Sequence, residues 1–271
     1  MHPVAVAVNI EQMGLDAESI MAGLLHDTIE DTAASYSEVA KEFGEVVAML
    51  VDGLTKIVTL QVADKEDAHI ETLRKMLLAM SKDLADYGVT SFNPTLYSSV
   101  EENFMKDIKA VTTAMGQEQG ANIMGMHLEG PFVSPDKVGV QKPETIHKAD
   151  LEFMERLWAA SEGKIVNMTV APEIKGMREL ALFCMKRGIV LQAGHTNATY
   201  ENMVEGMQAG ILHSTHLFNA MSQMHHRNPG AVGAVLIHPE MACEIIADGV
   251  HVHPALLKLL RRDKPADKIV L

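Results

Sequence analysis

The sequence predicts an all-α segment over residues 1–83, followed by an α/β part over residues 84–271. Two patterns lead to this division. Before about Val89 the apolar residues recur at helical spacing, and no strand-like run occurs. From about Leu84 onward, short apolar runs alternate with longer helical patterns, which is typical of a parallel α/β sheet or barrel. We therefore expect two modules with separate origins.

Composition restricts the class of partner. The chain has 271 residues, of which 47% are hydrophobic, enough for one large domain or two smaller ones. A formal net charge of −13 argues against a nucleic-acid or anionic-membrane surface and favours a small solute. Cys184 and Cys243 lie far apart in apolar runs, so we expect reduced core residues of a cytoplasmic protein. No apolar run approaches the roughly 20 residues that a membrane span needs.

Helices are predicted in the first part where a capping residue precedes helical apolar spacing. Asp16 precedes a stretch in which Ile20 and Leu24 share one face, so that His26 and Asp27 follow a packed helix. After Asp83 the helical period is lost, and we expect strand and turn. The predicted helices are Asp16–His26, Ser35–Phe43, Glu45–Ile57 and Asp64–Met80.

In the second part, strands and helices are predicted alternately. The strands are Gly88–Asn93, Ile123–Leu128, Ile165–Val170, Ile189–Ala193, Ile211–Thr215 and Cys243–Ala247, with a last stub at Lys268–Leu271. The helices are Ser98–Met115, Ala149–Ala160, Met177–Lys186, Tyr200–Ala209 and Pro254–Leu260.

Three of these strands end on a side chain that can bind a metal. Glu129, His195 and His216 each stand at the carboxyl end of a predicted strand. Parallel strands bring their carboxyl ends to one face, where α/β enzymes carry their catalytic groups. Any one of these residues alone is more often a hydrogen-bonded strand-end residue. Together they predict a hydrolytic divalent-metal centre, with their side chains within about 5 Å of one another.

Motifs of the first part resemble the HD hydrolase domain of the stringent-response guanosine tetraphosphate synthetase/hydrolases. The pair His2-Pro3, the stretch Leu25–Thr32, Phe43-Gly44, Val51–Lys56 and Arg74–Asp83 carry the resemblance. It implies that His2, His26 and Asp27 bind manganese and that Glu30 and Asp31 activate water, roles that suit imidazole and carboxylate groups. A solvated acidic helix end is the alternative reading. The family's fourth ligand, an Asp in a later segment, does not occur, so we expect this site to be incomplete and separate from the trio of the second part.

Motifs from about Leu84 to Leu271 resemble N-acetylglucosamine-6-phosphate deacetylase, a (β/α)8-barrel family of the amidohydrolase superfamily. They are Tyr87–Ser91, His127–Phe132, Ala171–Glu173, Ala193–Asn197, Thr215–Met221, Arg227–Gly230 and Asp248–His251. The resemblance implies an incomplete (β/α)8 TIM barrel that lacks strand 1 and most of strand 8. It also implies that Glu129, His195 and His216 bind zinc or a similar ion.

Further roles are implied by position in the same motifs. Gln141, Asn219 and Ala220 fall where the family contacts the sugar phosphate, and His251 falls where an imidazole touches the substrate near the reacting amide. Arg227 falls where a guanidinium binds phosphate across a subunit interface, which implies a homodimer. Without the resemblance, Asn219 and Ala220 read as turn residues and Arg227 as a solvated surface group.

The proton-transferring Asp of the deacetylases follows their eighth strand, and the sequence ends at Leu271, before that position. We therefore expect a fusion of two truncated enzymes with impaired deacetylase activity. Two other functions stay open: a guanosine tetraphosphate pyrophosphohydrolase of the HD type, and a catalytically dead remnant that binds metal or sugar phosphate.

Overall fold

The structure is a computed structural model that describes residues 3–4, 7–8, 17–26, 28–32, 34–58 and 65–271, with only the backbone described at 30–31, 52–58 and 65–68. The chain divides into two compact units, Met1–Met76 and Leu77–Leu271. A helical first part and a parallel α/β second part are confirmed. No helix within the described ranges is both long and apolar enough to cross a membrane.

The first unit is built from helices. They are α1 (Ala17–Leu25), α2 (Thr28–Asp31), α3 (Tyr36–Phe43), α4 (Glu45–Val58) and the start of α5 (Lys65–Asp86). Ala22 of α1 packs with Val47 and Val51 of α4 to form a small core. Helix α3 begins in a capping box, in which Ser35 and Glu38 each accept from the other's backbone N–H.

The loss of helical structure after Asp83 was wrongly predicted, because α5 continues to Asp86. Its later turns belong to the second unit, where Ser81 Oγ donates to the Ala121 carbonyl at 2.8 Å. A Cβ atom at Gly120 would meet the backbone of Ser81 and Lys82. The helix is therefore held by a tertiary contact that local periodicity does not reveal.

The second unit is organised by a parallel sheet of seven strands in the order β2-β4-β5-β6-β7-β8-β9. Its strands are β2 (Thr95–Tyr97), β4 (Met126–Glu129), β5 (Ile165–Val170), β6 (Val190–Ala193), β7 (His213–Ser214), β8 (Ala242–Glu244) and β9 (Ile269–Val270). Two short strands, β1 (Ser91–Phe92) and β3 (Asn122–Ile123), pair separately. Sequential strands that lie side by side and parallel place every strand's carboxyl end at one edge.

Two predicted strands differ from the observed ones. The predicted strand Gly88–Asn93 forms only β1, and β2, which lies beyond Pro94, was not predicted. Proline has no N–H to donate to a neighbouring strand. The predicted strand Ile123–Leu128 is divided into β3 and β4, and a Cβ atom at Gly125, between them, would collide with Val166 Cγ1.

Helices cover one face of the sheet. They are α6 (Glu101–Ala114), α7 (Leu151–Ala160), α8 (Met177–Met185), α9 (Tyr200–Gln208), α10 (Gly230–Ile237) and α11 (Pro254–Asp263). Leu128, Met168 and Leu191, which lie in register on neighbouring strands, are buried on this face. Helix α10 was missed from the sequence because its residues are apolar on all sides and give no helical period.

The opposite face of the sheet is polar. Successive residues of a strand point to opposite faces, and the positions that alternate with the buried apolar ones hold Thr, His, Asn, Gln and Glu. These residues are Thr95, His127, Glu129, Asn167, Thr169, Gln192, His213, Thr215 and Glu244. This polar side, called the inner face below, therefore carries the side chains that can bind a metal or transfer a proton. The apolar core lies between the sheet and its helices.

Lys264 is a buried cation that caps α10. Its Nζ donates to the Val235 carbonyl at 2.6 Å and to the His238 carbonyl at 2.7 Å, at the helix end where a positive charge is favourable.

We expect Lys264→Met to lower the free energy of unfolding by about 1–3 kcal/mol, because it removes a charged donor from two buried carbonyls. Chemical denaturation measures the change. Lys258→Met, on the exposed side of α11, is the control and should stay within about 0.5 kcal/mol of the parent protein. Equal effects of the two changes would contradict the capping role.

Candidate metal centre

Three strand ends deliver Glu129, His195 and His216 to one point. Glu129 is the last residue of β4, while His195 and His216 each lie two residues beyond the ends of β6 and β7. One ligand atom from each residue lies within 4.8 Å of the others. Within the described part of the chain, this is the only such group of three His, Cys, Asp or Glu residues.

Both histidines leave their strands in a left-handed turn. His195 has φ 45° and His216 has φ 30°, a region that most side chains avoid but that His tolerates better than most. The turn points each ring back across the strand ends toward β4, so that His195 Nε2 lies 2.8 Å and His216 Nε2 3.9 Å from Glu129 Oε1.

The second ring nitrogen of His195 is fixed by the backbone. Its Nδ1–H donates to the Lys137 carbonyl at 2.9 Å, which orients Nε2 toward the carboxylate. Burial lowers the pKa of His195, but the hydrogen bond and charge of Glu129, together with the Lys137 carbonyl, outweigh it and raise the pKa. The contacts with Glu129 and the Lys137 carbonyl therefore favour the charged form of the His195 ring.

Glu129 is a carboxylate kept charged in a buried place. Burial acts to raise the pKa of Glu129, but hydrogen bonds from His195 and His216 outweigh it and hold that pKa well below its usual range. Gln141 Nε2 donates weakly to the same Oε1 at 3.5 Å. A buried negative charge that faces two imidazoles is a strong electrostatic site for a cation.

The donor set fits a divalent metal. His195 Nε2 and His216 Nε2 are 3.1 Å apart, close to the edge of about 3.3 Å that zinc bonds of about 2.0–2.1 Å give in a tetrahedral shell. Three protein ligands leave further positions for water and substrate. Zinc or a similar ion is the chemistry that this arrangement suits.

The loop after His195 is held by a second acidic residue. Glu173 accepts from the Thr196 hydroxyl at 2.5 Å and from the Asn197 backbone N–H at 2.7 Å. The role of Glu173 was not predicted, although its motif was part of the resemblance.

The other predicted substrate residues lie on the segments that surround the trio. Gln141 is buried, and its Oε1 has no hydrogen-bond partner among the described residues. Asn219 Nδ2 donates to the His216 carbonyl at 3.3 Å, and Ala220 has φ 48° in the same turn. Both therefore follow the ligand His216 in one tight loop.

Arg227 and His251 are exposed. Arg227 lies in a loop closed by paired His225 and Asn228. His251 follows β8, and its Nδ1–H donates to Asp248 at 2.6 Å. The Asp248 carboxylate also accepts two backbone N–H groups, and these bonds with His251 and Val250 lower the pKa of Asp248 to about 2.

Of the residues predicted to form the manganese site, only the side chain of His26 is described. Its Nδ1 lies 2.8 Å from the Gly23 carbonyl at the end of α1. His2 and Asp27 lie outside the described residues, and at Glu30 and Asp31 only the backbone of α2 is described. Their roles stay predictions.

Sequence reasoning missed the polar residues beneath the trio. His127 contacts Thr169 Oγ1 through Nε2 at 2.8 Å, and Gln192 donates to Glu244. Burial lowers the pKa of His127 to about 4, so this imidazole is neutral. Burial also raises the pKa of Glu244. Polar residues at alternate positions of β5 and β6 were the signal that could have found them.

Known proteins similar to each of the two parts of the chain were found. Residues 1–89 match the HD domain family. N-acetylglucosamine-6-phosphate deacetylase of Bacillus subtilis (strain 168) is 37% identical over 213 residues, which are 77% of this chain and 53% of the relative. The enzyme of Danio rerio is 34% identical over 207 residues, 73% of this chain and 51% of the relative.

Solved structures give the same result. N-acetyl-D-glucosamine-6-phosphate deacetylase from Mycobacterium smegmatis matches with a TM-score of 0.64 and 28% identity, over 77% of this chain and 51% of that one. The enzyme from Thermotoga maritima matches with a TM-score of 0.66 and 31% identity, over 73% and 54%. The chain thus spans about half the length of the relatives that it matches.

We expect Glu129→Gln to weaken zinc affinity by more than roughly 100-fold, since even the outer partners of metal ligands are worth about 10–100-fold. Titration against a competing chelator measures the affinity. Glu240→Gln is the matched control, because Glu240 also pairs with a histidine, His238 at 3.2 Å, but on the surface. Unchanged zinc binding by Glu129→Gln would exclude the trio as the metal centre.

Proposed function

We propose that the second part of the chain, which resembles the N-acetylglucosamine-6-phosphate deacetylases, is a metal-dependent amidohydrolase. Its reaction is hydrolysis of the acetamide of N-acetylglucosamine 6-phosphate to glucosamine 6-phosphate and acetate. The convergence of Glu129, His195 and His216 within 4.8 Å carries the proposal. Relatives that are 34–37% identical to this chain over the 207–213 matched residues bear that activity in their names.

The chain's own residues have separable tasks in this reaction. Glu129, His195 and His216 hold the metal, and the Lys137 carbonyl keeps the His195 ring turned toward it. A bound divalent metal supplies electrophilic assistance to amide hydrolysis. Gln141, Asn219 and Ala220 contact the sugar phosphate. His251 contacts the substrate near the amide, with its ring oriented by Asp248.

We also propose that the parallel sheet is an incomplete (β/α)8 barrel without strand 1 and most of strand 8, and that the two parts of the chain meet near residues 83–84. The open order of the seven-stranded sheet supports this proposal, since β2 and β9 are its two end strands and do not pair with each other. The match to deacetylase structures over about half of their length agrees with it.

A second candidate function belongs to the first part. The match of residues 1–89 to HD domains favours a guanosine tetraphosphate pyrophosphohydrolase that uses manganese, with His2, His26 and Asp27 as ligands and Glu30 and Asp31 as the groups that activate water. Manganese-dependent release of pyrophosphate from guanosine tetraphosphate is the reaction that would establish it.

Residues 1–271 should release amine from N-acetylglucosamine 6-phosphate slowly when zinc is saturating. The resemblance implies an Asp beyond β9 that transfers the proton, and general acid–base catalysis is worth about 10²–10⁴-fold. A version extended by the remainder of that strand and its Asp should be faster by this factor, and Glu129→Gln should be inactive in both versions. Equal turnover of the two versions would assign the proton transfer to another group, such as His251 or Asp248.

Arg227 is proposed to bind the substrate phosphate from the partner subunit of a homodimer. Its exposure on a closed loop supports a role outside its own subunit's core. Arg227→Ala should raise the KM for the phosphorylated sugar by about 10- to 100-fold, since a charge-assisted hydrogen bond is worth about 1.5–3 kcal/mol.

The KM for unphosphorylated N-acetylglucosamine should not change. Arg261→Ala, a change to an exposed arginine on α11, is the control. A parallel rise of the two KM values, or a monomer in sedimentation, would contradict the phosphate role across an interface.

A further inference from the structure

A chain of hydrogen bonds crosses the inner face of the sheet directly beneath the metal ligands. Its members lie on six neighbouring strand segments and follow one another through the distances 3.1, 2.8, 2.7 and 3.3 Å and a final short contact. In order they are Thr95, His127, Thr169, Thr215, Gln192 and Glu244.

The hydrogen bonds of this series can be donated in only one direction, and the side-chain amide of Gln192 determines that direction. The Gln192 amide N–H donates to the Glu244 carboxylate, and its carbonyl oxygen accepts from the Thr215 hydroxyl. A hydroxyl has a single proton to donate. Because Thr215 gives its proton to Gln192, its oxygen must accept from the Thr169 hydroxyl.

The same argument extends to His127. Thr169 gives its proton to Thr215, so its oxygen accepts from His127 Nε2–H. His127 Nδ1 faces the Thr95 hydroxyl at 3.1 Å. The four hydrogen bonds from His127 to Glu244 therefore point the same way and end on a carboxylate, an arrangement in which each bond polarises the next.

This series of hydrogen bonds joins the strands that carry the metal ligands. His127 lies two residues before Glu129 on β4, and Thr215 directly precedes His216. The Thr169–Thr215 pair also lies against the backbone that leads into His195. A Cβ atom at Gly194 would stand 2.7 Å from Thr169 Cγ2 and 3.0 Å from Thr215 Cβ.

We propose that the Thr169–Thr215 hydroxyl pair is the positioning element of the metal centre, holding β4, β6 and β7 at fixed relative heights so that Glu129, His195 and His216 converge. Among the described residues no hydrogen bond joins the Thr169 hydroxyl to a ligand side chain, so Thr169 is a positioning residue that acts through the strands it connects. The inference rests on the proposed function only in requiring that the trio binds metal.

Two substitutions at one position separate the hydroxyl from the methyl group that faces Gly194. Thr169→Val keeps the shape and the methyl group but removes the hydroxyl, while Thr169→Ser keeps the hydroxyl and removes the methyl group. We expect Thr169→Val to weaken zinc affinity by about 10–100-fold, the usual effect of losing an outer partner of a metal site. Thr169→Ser should stay within about threefold of the parent protein. Competitive chelator titration well below the melting temperature gives both values.

The direction of the hydrogen bonds in this series is tested without any change to Thr169. Nitrogen-15 spectra of the zinc-free protein should show the His127 ring with its proton on Nε2, assigned by the loss of its signals in His127→Gln. A ring without a proton on Nε2 would overturn the proposal, as would equal zinc affinities of Thr169→Val and the parent protein. Weakening by Thr169→Ser equal to that by Thr169→Val would also overturn it, since the methyl contact would then carry the effect. A parent protein that binds no zinc would overturn the metal centre and this inference together.

Discussion

The second part of this chain depends on the interaction of the Glu129 carboxylate with the imidazoles of His195 and His216. A buried charge is unfavourable unless it is paired, and here the pairing comes from strand ends that are far apart in sequence. His195 Nε2 lies 2.8 Å from Glu129 Oε1, so the atoms that would bind a cation already face one another. A divalent ion bound there would enter a geometry that already exists.

The location of the trio could be predicted because it depends on a local rule. An apolar run that ends on Glu or His puts that residue at the carboxyl end of a buried strand, and the order of parallel strands does the rest. The orientation of the two imidazole rings could not be predicted, since it follows from the left-handed backbone conformation at His195 and His216. Nothing in a single sequence marks a histidine that adopts this conformation.

The secondary-structure elements that were wrongly predicted also share a cause. Helix α10 is buried from Gly230 to Val235, and the later part of α5 is held by the contact of Ser81 with Ala121. In both cases tertiary contacts replace the amphipathic pattern from which a helix is usually recognised. The division at Gly125 and the separation of β1 from β2 at Pro94 likewise follow from backbone chemistry. By contrast, β5 was predicted with its observed limits, Ile165–Val170, since neither glycine nor proline occurs within it.

Gly194 carries a consequence for how such a sequence can change over generations. Any side chain there would collide with Thr169 Cγ2, so an alanine is acceptable only after Thr169 has become smaller. Mutations at the two positions are therefore ordered, and the same substitution is harmful or neutral according to which came first. Lineages that retain this threonine are confined to glycine directly before His195.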